Sequence, residues 1–471
     1  MYSPQQFVDE WEKAELKERA SAQSHFEAVC RLVDHPLPHE QDPKGEFFTY
    51  EYGIQKSGGG KGFADVWYKG HFAIEYKGKG KYKDLGDAYQ QLLRYRENLF
   101  NPPLLIVCDI ATWEIHTNWP NTEPKIYKFT NQQIIEPHVQ RWIQNLFNDP
   151  ERLHPNRNTA EVTTDAARVF QAMADNMRGW QAAPDRIAHF LTKLVFCLFA
   201  EDVGLLPSRD GVGIFSEIVE KTRTTPTDFR DYTAQLFKAM ADGGKMLFQT
   251  IPYFNGALFD DVDVEALSYD ALTELGKASR LNWAAVEPAI FGTLFERSLD
   301  PNKRAQLGAH YTGKDDILLI VEPVLMEPLR REWEAIIAEA VPIRAAYDAA
   351  GNQRERTTYM SSLQRMREKM LHRLRTIKVL DPACGSGNFL YVSLNLLLDM
   401  EKAVINDALF SGLMQPFPEV HPRQLYGIEL DPIAHALASI VVWIGYIQWR
   451  QNNGYLTFKE PILEALQGNI Q

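Results

Sequence analysis

The chain has 471 residues, 45% apolar and 24% charged, which is the composition of a soluble globular protein long enough for two to four domains. No apolar run reaches the length of a bilayer span. The N-terminus, MYSPQQFVDEWEKAELKERA, lacks the cationic start and apolar core of a signal peptide, so a cytoplasmic protein with no membrane partner is the expectation.

The net charge of −12 argues globally against a nucleic-acid binder. Its distribution is uneven. Between positions 56 and 83, Lys56, Lys61, Lys69, Lys77, Lys79, Lys81 and Lys83 face only Asp65 and Glu75. A lysine run taken alone is most simply a solvated face. Cys30, Cys108, Cys197 and Cys384 are far apart and lack metal-ligand spacing, so reduced, buried thiols are expected.

Residues 1–155 mix helix and strand. Helices are predicted over 3–19 and 24–32. Strands follow at FFTYEYGI (47–54), FADVWY (63–68) and HFAIEYK (71–77), rich in aromatic and β-branched residues. Leu85, Ala88, Leu92, Tyr95 and Leu99 recur at helical steps after the N-cap candidate Asp84, and Asn101-Pro102-Pro103 stops that helix. LLIVCDI (104–110) and TWEIHT (112–117) read as further strands.

A linker is read at 151–157, and residues 156–294 read as helix almost throughout from 163 onward, with an amphipathic segment at 184–207. They form an all-α spacer. From 295 to 471 a helical stretch (315–346) and a charged helix (354–375) lead into IKVLDPACGSGNFL, a short strand, a glycine turn and a helix. QLYGIEL (424–430) is a second strand and 433–449 a very apolar helix, a strand–helix alternation that predicts a parallel sheet.

The hairpin at 63–77 places charge where a core element would not. Glu75 and Lys77 are two apart and share a face. Folding about Lys69-Gly70 sets Asp65 roughly opposite Glu75. Two carboxylates at one point repel unless a cation neutralises them, and Mg2+ held by Asp65 and Glu75 is the natural candidate. Lys77 can activate water and stabilise charge on a phosphate, while the surrounding lysines would hold a phosphodiester backbone. The bland reading is a surface hairpin with a Glu–Lys pair.

The glycine turn carries a second chemistry. Asp381 closes a strand, and Gly385 and Gly387 allow close backbone approach before a helix. Asp381 would repel a phosphate but suits a cationic amine, and Glu429, ending the next strand, can accept both hydroxyls of a ribose. Adenosine with a cationic amino-acid tail is S-adenosyl-L-methionine. The bland reading of Gly-x-Gly alone is a tight turn. The segment at about 406–422, with several Pro and Gly, reads as an insertion that lengthens the span from Asp381 to Glu429.

Asp65 followed by Glu75-Tyr76-Lys77 on paired strands resembles the PD-(D/E)xK nuclease core, with Gln91 and Tyr95 similar to the Gln-x-x-x-Tyr feature of some members. Ala64 stands where the leading Pro would be. GAHYT (308–312), DPACGSGNFL and YGIELDP, in that order, resemble gamma-class adenine-N6 DNA methyltransferases. Together with the upstream hairpin, nearly the whole chain resembles the MmeI-like (type IIG/IIL) fused restriction–modification enzymes.

That resemblance implies a multidomain α/β protein: a PD-(D/E)xK nuclease-like domain (1–155), a helical spacer (156–294) and an incomplete Rossmann-like (class I) methyltransferase domain (295–471). It implies Asp65, Glu75, Lys77 and Gln91 as the nuclease site. His310, Tyr311, Thr312, Asp381, Ala383, Cys384, Gly385, Gly387, Asn388, Phe389 and Glu429 would meet S-adenosylmethionine. Such methyltransferases continue into Asn-Pro-Pro-Tyr/Phe and a target-recognition domain, which are not among these residues. Asn101-Pro102-Pro103-Leu104 precedes the cofactor loop and ends in Leu, which cannot stack on a flipped base. The expectation is therefore a truncated chain that does not methylate DNA unaided. The alternatives are a methyltransferase whose nuclease fold only clamps DNA, and a cofactor-sensing fragment completed by another chain.

Overall fold

The computed structural model describes residues 2–12, 18–52, 64–78, 85–155, 159–178, 184–209, 212–254, 258–289, 313–455, 462–463 and 468–470. The chain divides into two compact units, the first made of residues 1–158 with 406–414 and 452–456, the second of the remainder.

The first unit opens with α1 (Pro4–Glu12) and α2 (Glu18–Leu32). The second helix begins earlier than the sequence predicts, because Ala20, Ser21 and Ala22 extend a run tolerant of helix. A six-stranded sheet follows in sequential order: β1 (Phe48–Tyr52), β2 (Ala64–Tyr68), β3 (Phe72–Tyr76), β4 (Leu104–Cys108), β5 (Thr112–Thr117) and β6 (Ile126–Thr130). All neighbours are antiparallel except β3 and β4, whose parallel pairing needs a crossover, supplied by α3 (Leu85–Tyr95). Strand β6 and the helix α4 (Pro137–Asn148) extend the predicted order. Tyr127 and Phe129 of β6 point inward and Lys128 outward, the alternation of an edge strand.

Both sheet faces are covered. On one, Val66, Ile74, Tyr76, Ile106 and Trp113 pack with Phe7, Phe26, Ile143 and Phe147 from α1, α2 and α4. On the other, Trp67, Ala73, Leu105 and Val107 pack with Leu85, Ala88 and Leu92 of α3. All five residues of β3 are buried in consequence, as are all five of β4.

The second unit begins with α5 (Thr159–Arg178), α6 (Pro184–Asp202), α7 (Ile214–Lys221), α8 (Pro226–Asp242) and α9 (Tyr269–Ala278). The all-α spacer needs correction. Short antiparallel pairs interrupt it, Ser208–Arg209 with Val212–Gly213 and Gly244–Met246 with Gln249–Ile251. Gly243 ends α8 in a positive-φ conformation, and Leu247 and Phe248 both take positive φ at the second turn, the geometry that joins two antiparallel strands tightly. Helix α6 is buried on every side from Leu191 to Ala200 rather than only along one stripe. Its buried Lys193 is held by Asp261, at 2.5 Å to the carboxylate and 2.8 Å to the carbonyl.

Farther along, α10 (Lys314–Val321) runs through one π turn into α11 (Glu327–Ala349), and α12 (Gln353–Thr376) folds back beside it. Then come β7 (Val379–Asp381), α13 (Asn388–Asn406), β8 (Leu425–Gly427) and α14 (Pro432–Asn452), with β7 and β8 parallel as predicted. Fully buried Glu401 of α13 binds Arg375 and the backbone N–H groups of Glu419 and Val420, which ties down the end of the insertion. No helix among the described residues is long and apolar enough to cross a membrane.

Candidate functional site

Gly70, at φ 74°, closes the turn between β2 and β3. The register pairs Tyr68 with Phe72, Trp67 with Ala73 and Val66 with Ile74, and one further step sets Asp65 against Glu75. Asp65 Oδ2 accepts the backbone N–H of Tyr76 at 2.6 Å. Lys77 Nζ lies 3.1 Å from Glu75 Oε1, and Glu75 is only 8% exposed. A carboxylate that buried requires compensation, and Lys77 provides part of it. Asp65 and Glu75 thus stand at neighbouring register positions of one hairpin, and Lys77 is paired with Glu75.

Gln91 sits half-buried on α3, the helix that covers this face of the sheet. Lys56, Lys61, Lys79, Lys81, Lys83 and Asp84 lie outside the described residues. Two carboxylates on neighbouring strands are hard oxygen donors of the kind Mg2+ takes. Among the described residues no cluster of three or more His, Cys, Asp or Glu side chains forms a metal site.

The opposite face holds a residue that sequence reasoning missed. His25 of α2 is fully buried, with Nδ1 3.2 Å from the Tyr76 hydroxyl. Trp11, Trp113 and Phe7 surround its ring at centroid distances of 4.6, 5.3 and 5.3 Å. Burial pushes its pKa down to about 3. Tyr76, between Glu75 and Lys77 in sequence, is thus anchored from behind by a neutral imidazole. A lone histidine on a helix carries no sequence signal for this.

The second site joins β7, the glycine turn and β8. Gly385 and Gly387 have φ of 52° and 84°. A Cβ on Gly385 would meet nothing within 4 Å, which leaves that backbone open to a ligand. A Cβ on Gly387 would come within 2.9 Å of Ala438 Cα, so this glycine lets the turn pack against α14. Gly427 likewise admits the Cys384 thiol, which a Cβ would approach to 2.7 Å. Cys384 is buried, and burial raises its pKa to about 12, so it is an inert thiol.

Glu429 braces the turn. Its Oε2 accepts the N–H of Gly385 at 2.9 Å and its Oε1 that of Asp431 at 2.7 Å. Asp381 Oδ1 accepts the N–H of Ala383 at 3.1 Å, while its buried Oδ2 has no hydrogen-bond partner, nor does buried Oδ1 of Asn388. Burial raises the Asp381 pKa, and the nearby Glu429 charge raises it further. Two acids and two unsatisfied acceptors around an open glycine backbone suit a ligand that brings a cation and donor groups. S-adenosylmethionine has both, so these residues fit it. Ala383 is exposed and Phe389 half-buried beside the turn, while His310, Tyr311 and Thr312 lie outside the described residues.

Comparison with known proteins finds three family domains in order. Residues 3–178 match the MmeI N-terminal domain, 185–259 the MmeI helicase spacer domain and 353–463 the MmeI DNA-methyltransferase domain. DNA methyltransferase A of Bacillus subtilis (strain 168) is 30% identical over 268 residues, covering 56% of this chain and 28% of the relative. A protein of Methanocaldococcus jannaschii, named for both a type II restriction enzyme and a methyltransferase, is 24% identical over 292 residues, 55% of this chain and 24% of the relative. The chain thus spans about a quarter of the length of each curated relative. The solved type IIL restriction–modification enzyme MmeI in complex with DNA aligns with 64% of this chain and 38% of its own, at 23% identity and a TM-score of 0.49.

Proposed function

This chain belongs to the MmeI-like family of restriction–modification proteins, and from that premise we propose that it joins a DNA-cleaving domain to part of a DNA-methylating one. Residues 1–155 act as a PD-(D/E)xK nuclease on double-stranded DNA. Residues 156–294 connect it to a Rossmann-like segment, 295–471, that binds S-adenosylmethionine for adenine-N6 methylation.

In the nuclease, Asp65 and Glu75 hold Mg2+, which when bound supplies Lewis acidity at the scissile phosphate. Lys77, fixed by Glu75, orients the attacking water and stabilises charge developing on the phosphate oxygens. Tyr76 and His25 hold the strand so that Glu75 and Lys77 keep their separation. In the cofactor segment, Asp381 takes the cationic amine and Glu429 the ribose hydroxyls of a methyl donor, while Gly385 leaves the backbone open to it.

The observation that carries this reading is the register that sets Asp65 beside Glu75, with Lys77 paired to Glu75, in a hairpin otherwise committed to the core. The test incubates the chain with linear duplex DNA, Mg2+ and S-adenosylmethionine. Cleavage that disappears in Lys77→Ala and without the metal supports the nuclease. Equal cutting by Lys77→Ala refutes the assignment. Calorimetry with S-adenosylmethionine tests the other half, where no binding of the donor refutes the cofactor site.

A further inference from the structure

Helix α12 concentrates positive charge in an acidic protein. It carries seven Lys or Arg residues against two Glu, while the whole chain has a net charge of −12. Leu363, Arg367, Met370, Leu371 and Leu374 form its buried stripe. At 100° per residue, Arg354, Thr358, Ser361, Arg365, Lys369 and His372 fall in a narrow arc on the opposite side. All six are exposed.

Solvated helix faces ordinarily mix signs in i,i+4 pairs. Here both acids have structural work elsewhere. Glu355 lies in the first turn, where a negative charge suits the helix dipole, beside the Asn352 N-cap that accepts its backbone N–H at 3.0 Å. Glu368 pairs with Arg375 at 3.4 Å, and Arg373 pairs with Glu332 of α11 at 3.2 Å. No ion pair engages Arg354, Arg365 or Lys369 among the described residues. Arg365 faces hydroxyls, with one nitrogen 3.2 Å from Ser362 Oγ. The groove beside α11 brings the acids Glu332 and Glu339 toward Lys369, so the clearest cationic track runs from Arg354 to Arg365.

On the outer face between those two arginines the residues are small. Thr357, Thr358, Ser361 and Ser362 donate their hydroxyls to carbonyls one turn back, at 2.9 to 3.2 Å. They keep the surface low between the arginines, so a long polyanion can approach the helix. Arg354 and Arg365 are about 16 Å apart along the axis and Arg365 and Lys369 about 6 Å, a spread that suits successive phosphates rather than one small anion.

We propose that the outer stripe of α12 is a sequence-independent docking face for the phosphate backbone of double-stranded DNA. The inference rests on the restriction–modification reading for its choice of polyanion. Position supports a role in that context. The C-terminal end of α12 leads within three residues into β7, and Gln424 Nε2 fastens the carbonyls of Leu374 and Ile377 at 2.8 and 2.9 Å. The stripe is therefore held rigidly to the strand that ends in Asp381.

The test measures binding of the full chain to a labelled duplex of arbitrary sequence, without metal, across a salt series. Arg354→Ala and Arg365→Ala should each weaken binding several-fold and lower the slope of log K against log[salt] by about 0.9. Lys369→Ala should do less. Arg331→Ala on α11, whose guanidinium is already paired with Glu327 at 3.1 Å, removes the same charge and should leave the slope unchanged. Wild-type slopes in both arginine variants would overturn the docking face while leaving the cleavage and cofactor assays to decide the function separately. So would an equal effect from Arg331→Ala, tighter binding of single-stranded RNA than of duplex DNA, or no duplex binding by the wild-type chain.

Discussion

The Asp65 carboxylate accepts the backbone N–H of Tyr76 at 2.6 Å, so the acid of β2 is fastened to the strand that presents Glu75 and Lys77. One side chain thereby has a structural task and a proposed chemical one, and substitution can separate them. Asn keeps an acceptor oxygen and loses the charge, whereas Ala loses both. Asp65→Asn should fold within about 1 kcal/mol of wild type, while Asp65→Ala should lose about 1.5–3 kcal/mol, the scale of a hydrogen bond to a charged group. Both should cut DNA at least about 100-fold more slowly, as when a group that stabilises charge is removed. Urea midpoints and gel cleavage rates give the two readouts. Wild-type cutting by Asp65→Asn would remove Asp65 from the metal site.

His25 makes stability depend on pH in a defined window. The unfolded imidazole takes up a proton below about pH 6.5, but the buried one resists until about pH 3. Within that window the unfolded chain binds more protons. Stability contributed by neutral His25 is therefore whole above pH 6.5 and is lost as pH falls toward 3, at up to about 1.4 kcal/mol per unit. His25→Phe should flatten this part of the profile and cost Tyr76 about 1 kcal/mol for its lost partner. Tryptophan fluorescence reports the transition, since Trp11 and Trp113 adjoin the ring. Identical acid profiles for the two proteins would mean that His25 titrates normally.

Asp381 sets stability against binding. Burial and the Glu429 charge raise its pKa above the unfolded value, so its contribution to stability is present at low pH and is lost as pH rises through the folded pKa. At neutral pH the ionised group costs the ligand-free fold. Asp381→Asn should therefore raise the thermal midpoint of the free chain slightly while weakening S-adenosylmethionine at least tenfold by calorimetry. Glu429→Gln should weaken binding too but lower the midpoint, because its amide nitrogen cannot accept an N–H and one of the two bonds from Gly385 and Asp431 is lost. A lowered midpoint in Asp381→Asn would contradict the repulsion argument.

Much of both sites was legible because strand alternation and glycine spacing are local rules. Asp65, Glu75 and Lys77 could be placed on one face from a period of two and the position of one turn. What escaped depends on tertiary contact. His25 meets Tyr76 across 51 residues, and nothing near position 25 signals it. Glu429 was legible as the end of a strand, but its grip on the Gly385 N–H requires the two strands to lie parallel in register. The hairpin at 244–251 was missed because Leu247 and Phe248 take positive φ without the Gly or Asn that marks such turns. Gln91 shares a helix with the α3 core residues, yet helical periodicity alone does not fix which sheet residues a polar side chain reaches.

The two glycines of the cofactor turn should respond differently to the same substitution. Both have positive φ, so an alanine at either is strained by about 1–2 kcal/mol. At Gly385 that is the whole cost, because a Cβ meets nothing within 4 Å. At Gly387 the Cβ also comes within 2.9 Å of Ala438 Cα and 3.0 Å of its carbonyl oxygen, and backbone cannot swing aside as a side chain can. Either α14 moves or the turn opens. Gly387→Ala should therefore lose about 1–3 kcal/mol more than Gly385→Ala, the usual range for overpacking. It should also abolish S-adenosylmethionine binding, because opening the turn moves the Gly385 N–H off Glu429. Gly385→Ala should bind more weakly but keep a stable fold, since its methyl group stands in the space left for the ligand. Thermal midpoints and calorimetry on the two variants decide the matter. Equal destabilisation would mean that α14 yields at Ala438, and that the close approach at Gly387 does not set the shape of the cofactor turn.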